Sequence, residues 1–384
     1  MVAVPELELS DPEVLRDPIA AYGDARERGP LVRLRTPGFG AIVAATRYEE
    51  AKALLVDPRF ERSADSYLRP DVPEHCLKYM RTMQEMEGPE HLRLRRLVSP
   101  SFTARRAQEF RPRIACIVDR LLDELPAADP VDLLPHFARP LLMDVICELV
   151  GIPAEDRAAW RTYGAAIASG RPREFAEAIP DIMRDAEAAV GRREREPGAD
   201  LLSELIGFQL SETELVTFVW HLVLAGQTPT NLVTNAVEAL LRHPGQLAAV
   251  RAEPGLMPRA VEELTRWCGP QLLSVVRFAR EEVEIGGMPV GKGEAVTAAL
   301  AAANRDPRVF SDPLRLDVRR DEVAHLGYGH GPHFCLGAAL ARVQTEVALT
   351  ALLSRFPDLT LVDAPRVPDP GTWRLASLVV SRTR

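Results

Sequence analysis

Apolar residues recur at three- and four-residue spacing along most of the chain, which is the pattern of helices that bury one face. Clear examples are residues 106–125, 137–152 and 339–356. Segments that alternate like strands are few and short, and glycine, proline or polar turn residues bound each of them. These segments are residues 31–36, 40–46, 272–279, 283–290 and 375–380. The pattern predicts a mainly α fold with small β-sheets.

Two stretches depart from this pattern. Glu61–Glu87 has weak periodicity and mixed polarity, which predicts a long loop of the functional or mobile kind. Leu215–Val237 contains no Asp, Glu, Lys or Arg, but its His, Gln, Asn and Pro residues favour a buried helix over a membrane span. No internal repeat or Ser/Gly/Pro-rich linker is visible, so a single domain over residues 1–384 is expected.

Composition limits the partners and the compartment. The chain carries 47 basic and 55 acidic residues, a formal net charge of −8, which argues against nucleic acid as a partner. Its first residues include acids and prolines where an export signal would have a basic start and an apolar run. The five cysteines are scattered without a C-x-x-C pair, which argues against a disulfide framework. A cytoplasmic protein is expected.

The most informative segment, residues 325–342, reads His-Leu-Gly-Tyr-Gly-His-Gly-Pro-His-Phe-Cys-Leu-Gly-Ala-Ala-Leu-Ala-Arg. It delivers Cys335 to the start of an Ala-rich helix, where backbone N–H groups would stabilise the sulfur as a thiolate. Its glycines lack a Cβ, so the backbone can turn tightly and press against a flat ligand such as haem. These glycines are Gly327, Gly329, Gly331 and Gly337.

Three other interpretations of Cys335 are open at this point. A lone cysteine next to a turn is most often a small buried side chain. A zinc site with His330 and His333 would need further ligands, and no second Cys or His pair has such spacing. A hydrolase that uses Cys335 with His333 would need a third residue to orient the histidine, and none is evident.

The segment resembles the haem-binding loop of the cytochrome P450 monooxygenases, with Gly331, Cys335 and Gly337 on the family's spacing. The resemblance implies the P450 fold, haem b (iron protoporphyrin IX) as cofactor and Cys335 as the axial ligand of its iron. The family usually has Phe where this chain has Tyr328, which keeps an aromatic ring near the sulfur. His333 occupies a position from which bacterial members contact a haem propionate. Further similar segments, including residues 54–60 and 302–310, extend the resemblance over nearly the whole chain.

An E-x-x-R motif, Glu263 and Arg266, lies in the sequence AVEELTRW. Its side chains share one helix face, and in isolation such a pair is usually exposed and weak. The resemblance makes it a buried structural pair, with Arg315 of DPLRLD as its third member. Because an arginine can bridge two groups, the triad would tie the helix to the loop before Cys335. Its expected role is folding.

The resemblance also assigns contacts to the haem propionates. His91 and Arg95 of PEHLRLRRL lie one helical turn apart, and Arg277 lies in the strand-like VVRFA. Without the resemblance, His91 and Arg95 would be interpreted as a solvated basic face. With it, these groups would neutralise the propionates on burial.

The predicted oxygen-activating helix departs from the family pattern, Ala-Gly-x-acid-Thr. Thr228 occupies the acid position and Pro229 the alcohol position. A proline inside a helix costs roughly 3 kcal/mol, so either the site uses a kink or an existing bulge tolerates the proline. Thr228 or Thr230 could order water, or a polar substrate group could supply the proton relay. The expected distal residues are Ala225, Gly226, Gln227, Thr228, Pro229 and Thr230.

The sequence therefore predicts a haem-thiolate monooxygenase or oxidase that acts on a small to medium, largely apolar molecule of bacterial specialised metabolism. Oxidative coupling of the substrate is one alternative. A peroxide-using variant is another, although no arginine lies between His221 and Leu241 to bind a fatty-acid carboxylate. A non-catalytic haem-binding protein is the third alternative, because the acid–alcohol pair is missing.

The expected partners follow from this prediction. They are dioxygen, a small-molecule substrate, and a separate ferredoxin with its ferredoxin reductase, because the sequence has no flavin or iron–sulfur motif. Arg93, Arg96 and Arg342 would form a basic patch that attracts an acidic ferredoxin. Neither nucleic acid nor a membrane is expected as a partner.

Overall fold

The computed structural model describes residues 4–36, 40–67, 69–168, 170–208, 210–321 and 324–383, without the side chain of Gln227. It is mainly helical with small sheets, as the periodicity predicts. The strands are β1 Glu6–Glu8, β2 Leu31–Thr36, β3 Gly40–Ala45, β4 Phe60–Glu61, β5 Val131–Asp132, β6 Arg277–Ala279, β7 Val283–Ile285, β8 Met288–Val290, β9 Ala295–Ala298, β10 Thr360–Asp363 and β11 Val379–Ser381.

The α-helices follow the long periodic segments. They are α1 Pro12–Arg16, α2 Pro18–Arg28, α3 Tyr48–Val56, α4 Glu74–Leu77, α5 Gly88–Val98, α6 Ala104–Asp123, α7 Arg139–Val150, α8 Arg157–Ala168, α9 Pro172–Arg195, α10 Leu201–Ile206, α11 Glu212–Ala225, α12 Gln227–Arg242, α13 Pro244–Ala252, α14 Met257–Cys268, α15 Leu300–Ala303 and α16 Ala338–Arg355. A π-helical turn, Leu134–Ala138, precedes α7. Short 3-10 turns include Met83–Glu85 and Gly331–His333.

The chain divides into two compact units. Unit 1 comprises Met1–Tyr67, Asn231–Ala338 and Phe356–Arg384, and unit 2 comprises Leu68–Thr230 and Ala339–Arg355. The single domain over residues 1–384 stays a prediction.

Unit 1 is built around a sheet with the strand order β1-β2-β3-β9-β6-β4. Strand residues point alternately to its two faces. Val43 therefore joins one hydrophobic cluster with Leu31, while Ala44 joins another with Val32. Because both faces are buried, the sheet is a fixed support for the loops that leave its strands.

Unit 2 is a helical body in which α7 packs against α6, α8, α10 and α11. The predicted buried helix over Leu215–Val237 is present but divided, because α11 ends at Ala225 and α12 begins at Gln227. From Leu215 onward, α11 is buried on nearly all sides, which explains the absence of charged residues from that part of the helix. No helix in the described part of the chain has both the length and the apolar character needed to cross a membrane.

Several predicted segments differ from the structure. Residues 272–279 form a strand only over Arg277–Ala279, and residues 283–290 form the hairpin of β7 and β8. The described part of Glu61–Glu87 includes α4 and the turn Met83–Glu85, so this loop is more structured than its weak periodicity suggests; Leu68 lies outside the described residues. The strands that the pattern did not predict are β1, β4, β5, β9 and β10.

Candidate functional site

A backbone hydrogen bond within the loop fixes the position of Cys335. The N–H of Cys335 donates to the carbonyl of Tyr328 at 2.8 Å, and α16 begins only at Ala338. Gly331 has a φ of +73°, which side chains rarely adopt. A Cβ on Gly331 would also lie 2.6 Å from Cγ1 of Val56. The loop is therefore pressed against the end of α3 and presents an exposed Cys335.

Two other cysteines have the opposite environment. Burial raises the pKa of the Cys147 and Cys268 thiols to about 12. A thiol with such a pKa stays protonated at neutral pH, and the thiolate is the metal-binding form. Exposure therefore favours Cys335 over these two as the predicted iron ligand.

Polar contacts tie the start of this loop to α14. The backbone N–H of Gly327 donates to Nδ1 of His325 at 3.1 Å, so the ring proton lies on Nε2, which donates to Glu262 at 3.2 Å. The Tyr328 hydroxyl lies 3.5 Å from Oγ1 of Thr265. The tyrosine that replaces the family's Phe thus brings its hydroxyl to α14.

The E-x-x-R motif forms a fully buried ion pair. Arg266 donates from Nε and Nη2 to the two carboxylate oxygens of Glu263 at 2.7 and 2.8 Å, and each side chain is 1% exposed. Nη1 of Arg266 donates to the carbonyls of Asn304 and Pro313 at 2.8 and 2.9 Å. The amide oxygen of Asn304 in turn accepts the N–H of Leu326 at 2.7 Å, so the pair reaches the cysteine loop through one residue.

The predicted third member of the triad is wrong. Arg320, not Arg315, donates to Glu263, from Nε at 3.1 Å. The segment alternates, so that Leu316, Val318 and Arg320 are buried while the Arg315 side chain is exposed. Arg315 contributes only its carbonyl, which accepts from Arg266 at 3.3 Å and from Arg320 at 3.2 Å.

Replacement of Arg320 by methionine is expected to lower the free energy of unfolding by about 3–5 kcal/mol, because the cluster around Glu263 loses a buried partner. The same change at exposed Arg315 is expected to cost no more than about 0.5 kcal/mol. Denaturant unfolding of both variants checks this. An equal decrease in the free energy of unfolding for both variants would show that Arg315 is a member of the triad.

The predicted propionate residues are distributed over both units. In unit 1, Arg277 is 3% exposed and lies at the start of β6. In unit 2, His91 is buried on α5, one turn before Arg95. A Cβ on Gly337 would meet no protein atom within 4 Å, so packing within the chain does not require glycine there. Within unit 1, the buried cation Arg277 and the room beside Gly337 fit a flat ring that carries carboxylates, as haem does.

Gly226 separates α11 from α12, and the packing of unit 2 explains why it is glycine. A Cβ on Gly226 would lie 2.3 Å from Cδ1 of Ile146 and 2.9 Å from the carbonyl of Leu222. The Leu222 carbonyl of α11 and the Ile146 side chain of α7 therefore leave no room for a Cβ unless Ile146 moves, whatever role Gly226 has toward a ligand.

Gly226→Ala is expected to lower the free energy of unfolding by about 1–3 kcal/mol through overpacking. Ile146→Val removes the Cδ1 atom and should restore part of this loss in the double variant. Thermal unfolding of the two single variants and the double variant measures the coupling. Simple additivity of the two changes would contradict the packing argument.

Pro229 lies in the first turn of α12, where backbone N–H groups have no partner within the helix. The missing N–H of proline therefore costs little at this position. The Thr230 hydroxyl lies 3.5 Å from the carbonyl of Ala138, and Thr228 is partly exposed. Gln227 belongs to α12, but its predicted catalytic role concerns a side chain outside the described residues.

A polar pair that sequence reasoning missed lies in unit 2. Nε2 of Gln84 is 2.7 Å from Nε2 of His221 on α11. Burial, with the nearby charge of Arg95, lowers the pKa of His221 to about 4, so the imidazole is neutral at physiological pH. A histidine in an otherwise apolar helix was the signal in the sequence, but its partner lies 137 residues away.

Comparison with known proteins gives the family. The family model for cytochrome P450 matches residues 174–378. The 6-deoxyerythronolide B hydroxylase of Saccharopolyspora erythraea is 40% identical, over 99% of this chain and 97% of its own. The nocardicin C N-oxygenase of Nocardia uniformis is 41% identical, over 95% of each chain. The structure of CxnD, a P450 enzyme for C–S bond formation in chuangxinmycin biosynthesis, superposes with a TM-score of 0.87 at 30% identity, over 100% of this chain and 98% of that one.

The chain belongs to the cytochrome P450 family. It is accordingly an oxidoreductase, and haem is the cofactor that the family implies. Haem with a cysteine ligand supplies the activation of dioxygen. That Cys335 binds the iron, and that His91, Arg95, Arg277 and His333 contact the propionates, stay predictions from the resemblance. In the described part of the chain, no three His, Cys, Asp or Glu side chains are grouped to hold a metal ion, so the zinc alternative gains no support.

Proposed function

We propose that this protein is a haem b monooxygenase of bacterial specialised metabolism that oxidises a small to medium, largely apolar molecule without the family's acid–alcohol pair. The observation that carries the proposal is the sequence at the start of α12, where Thr228 and Pro229 replace that pair in a chain that otherwise keeps the family's motifs. The hydroxylase and N-oxygenase relatives support oxygen insertion as the main reaction.

Proton delivery then depends on water or on the substrate. Pro229 has neither an N–H nor a hydroxyl, and the Thr230 hydroxyl lies 3.5 Å from the carbonyl of Ala138. Thr228 is the hydroxyl that remains at the acid position. It lies seven residues after His221, which corresponds to two helical turns and so to the same face of the helix. The backbone of Gly226 is nearly helical, with φ −64° and ψ −15°, so it largely preserves that face.

The His221–Gln84 pair could hold a water molecule or a polar substrate group on this face of the helix. The amide of Gln84 donates to Nε2 of His221, which leaves the ring proton on Nδ1. A neutral imidazole can hold water or a substrate hydroxyl, but it is not a strong acid. The pair thus suits a positioning role, and it favours a substrate with one polar group on a largely apolar body.

Oxidative coupling is the second candidate reaction. It is favoured by the structural likeness to an enzyme for C–S bond formation and by the loss of the residues that normally guide protons. In coupling, hydrogen abstraction from the substrate is followed by bond formation within the substrate and not by return of a hydroxyl group. Mass spectrometry distinguishes the outcomes, because hydroxylation adds one oxygen atom and coupling removes two hydrogen atoms.

Electrons are proposed to come from a ferredoxin and its reductase. The predicted docking patch is smaller than the sequence suggested, because Arg93 forms an ion pair with Glu214. Arg96 remains exposed and Arg342 is partly buried. A cytoplasmic location fits such partners.

The test of the proposed proton supply is Pro229→Thr, which restores the family's alcohol. A spin-state screen of the ferric protein with candidate ligands, 6-deoxyerythronolide B among them, first identifies a substrate. Product formed per reducing equivalent consumed is then expected to stay the same or fall, because small displacements near reacting atoms cost rate. Pro244→Thr, at the exposed start of α13, is the matched control. A large gain in coupling efficiency for Pro229→Thr alone would contradict the proposal.

A further inference from the structure

Arg62, which belongs to none of the motifs above, contacts the predicted propionate residue His333. Its Nη1 lies 3.1 Å from Nδ1 of His333. A guanidinium can only donate hydrogen bonds, so Nδ1 of His333 must accept. The proton of the neutral imidazole is therefore on Nε2, and this second nitrogen is the one that can donate to a carboxylate.

Strand pairing brings Arg62 to a second predicted propionate residue. In the antiparallel pair of β4 and β6, Phe60 is opposite Ala279 and Glu61 is opposite Phe278. Continuing this register by one residue puts Arg62 opposite Arg277. Residues directly opposite each other in an antiparallel pair project from the same face. Arg62 thus joins Arg277 and His333 on one side of unit 1.

The charges in this cluster favour an anionic ligand. Like charges that face each other across strands destabilise a sheet unless an anion lies between them. The nearest acidic residues of the same strands have cationic partners, since Asp57 binds Arg59 at 2.6 Å and Glu61 pairs with Arg280 at 3.3 Å. The charge of Arg277 also contributes to lowering the pKa of Asp57, after the larger effect of Arg59. Arg59 and Arg280 offset the charges of Asp57 and Glu61, so the cluster keeps an excess of positive charge.

We propose that Arg62 is a haem-propionate residue of this chain, which fixes the tautomer of His333 and shares the propionate's charge with Arg277. The packing of the cysteine loop supports this role. Gly331 lies against Val56 and the carbonyl of Leu55, so the segment that leads to Arg62 is seated against the turn that contains His333. The inference rests on the haem assignment and does not depend on the substrate.

The test compares Arg62→Gln with Arg280→Gln in the substrate-free holoprotein. Arg280 lies on the same strand pair, but its side chain is 61% exposed. Transfer of haem to apomyoglobin should be about tenfold faster for Arg62→Gln, which is the size of one charge-assisted hydrogen bond. The reduction potential should fall, because a positive charge near the haem is lost. Arg280→Gln should match the parent protein in both measurements.

A double variant tests the route through His333. If Arg62 acts by fixing the tautomer, Arg62→Gln and His333→Gln should accelerate haem loss by less together than the product of their separate effects. Equal haem-loss rates for Arg62→Gln and Arg280→Gln overturn the inference, and full multiplicativity overturns the tautomer role. If Arg62→Gln does not fold, Arg62→Met against Arg280→Met makes the same comparison. Protein that takes up no haem in any form, parent included, would instead contradict the haem assignment.

Discussion

Cys335→Ser is expected to abolish the strongly red-shifted Soret band of the reduced, carbon monoxide-bound protein. Serine offers an alcohol or alkoxide, which is a far poorer donor to haem iron than a thiolate. The change is also nearly isosteric, so the backbone bond from residue 335 to the Tyr328 carbonyl should persist. The reduced difference spectrum with carbon monoxide is the measurement.

Cys116→Ser is the matched control for this spectrum. Cys116 is exposed like Cys335, but it lies on α6, far in sequence from the glycine-rich loop. The control should keep the red-shifted band at full intensity. An unchanged band in Cys335→Ser would mean that another residue binds the iron.

Glu263→Ala is expected to lower the free energy of unfolding by about 3–5 kcal/mol and to yield little haem-containing protein. The Glu263 carboxylate accepts hydrogen bonds from Arg266, from Arg320 and from the backbone N–H of Asp317 at 2.9 Å. Its loss leaves two buried guanidinium groups without their counter-charge. Denaturant unfolding and the haem content per protein report the two effects.

Asp181→Ala provides the control for the ion pair. Asp181 and Arg184 on α9 have the same acid-then-arginine spacing as Glu263 and Arg266, but they are 52% and 64% exposed. This variant should change stability by no more than about 0.5 kcal/mol, because exposed pairs contribute little. A normal holoprotein yield and normal unfolding for Glu263→Ala would show that the buried pair is not needed for folding.

The helices could be predicted because their signal is local. The segment 339–356 has a repeating apolar face, and α16 covers nearly the same residues. The short strands could not be predicted in this way, because the formation of a strand such as β9 depends on the strands with which it pairs. Ala295–Ala298 pairs with β3 and β6, and its two β-branched residues between alanines make too short a pattern to predict a strand without those partners.

The candidate site likewise has some residues that could be predicted from local sequence and others that could not. Motif spacing located Cys335 and the pair of Glu263 and Arg266, because those residues are neighbours in sequence or stand in a recognisable loop. Spacing could not choose between Arg315 and Arg320, since the choice depends on which side of the segment faces α14. The contact between Arg62 and His333 spans 271 residues and has no local pattern at all.

The division of the helix at Gly226 determines what a substitution at positions 228 and 229 costs. A helix interior constrains each residue through the hydrogen-bond ladder, so a proline there is normally eliminated by selection. Here Pro229 lies in the first turn of α12, so its missing N–H removes no hydrogen bond within that helix. Substitutions at positions 228 and 229 therefore have little effect on the stability of α12. A substitution in this turn therefore changes the side chains offered there without removing a hydrogen bond within α12, whereas a Cβ at Gly226 would lie 2.3 Å from Cδ1 of Ile146.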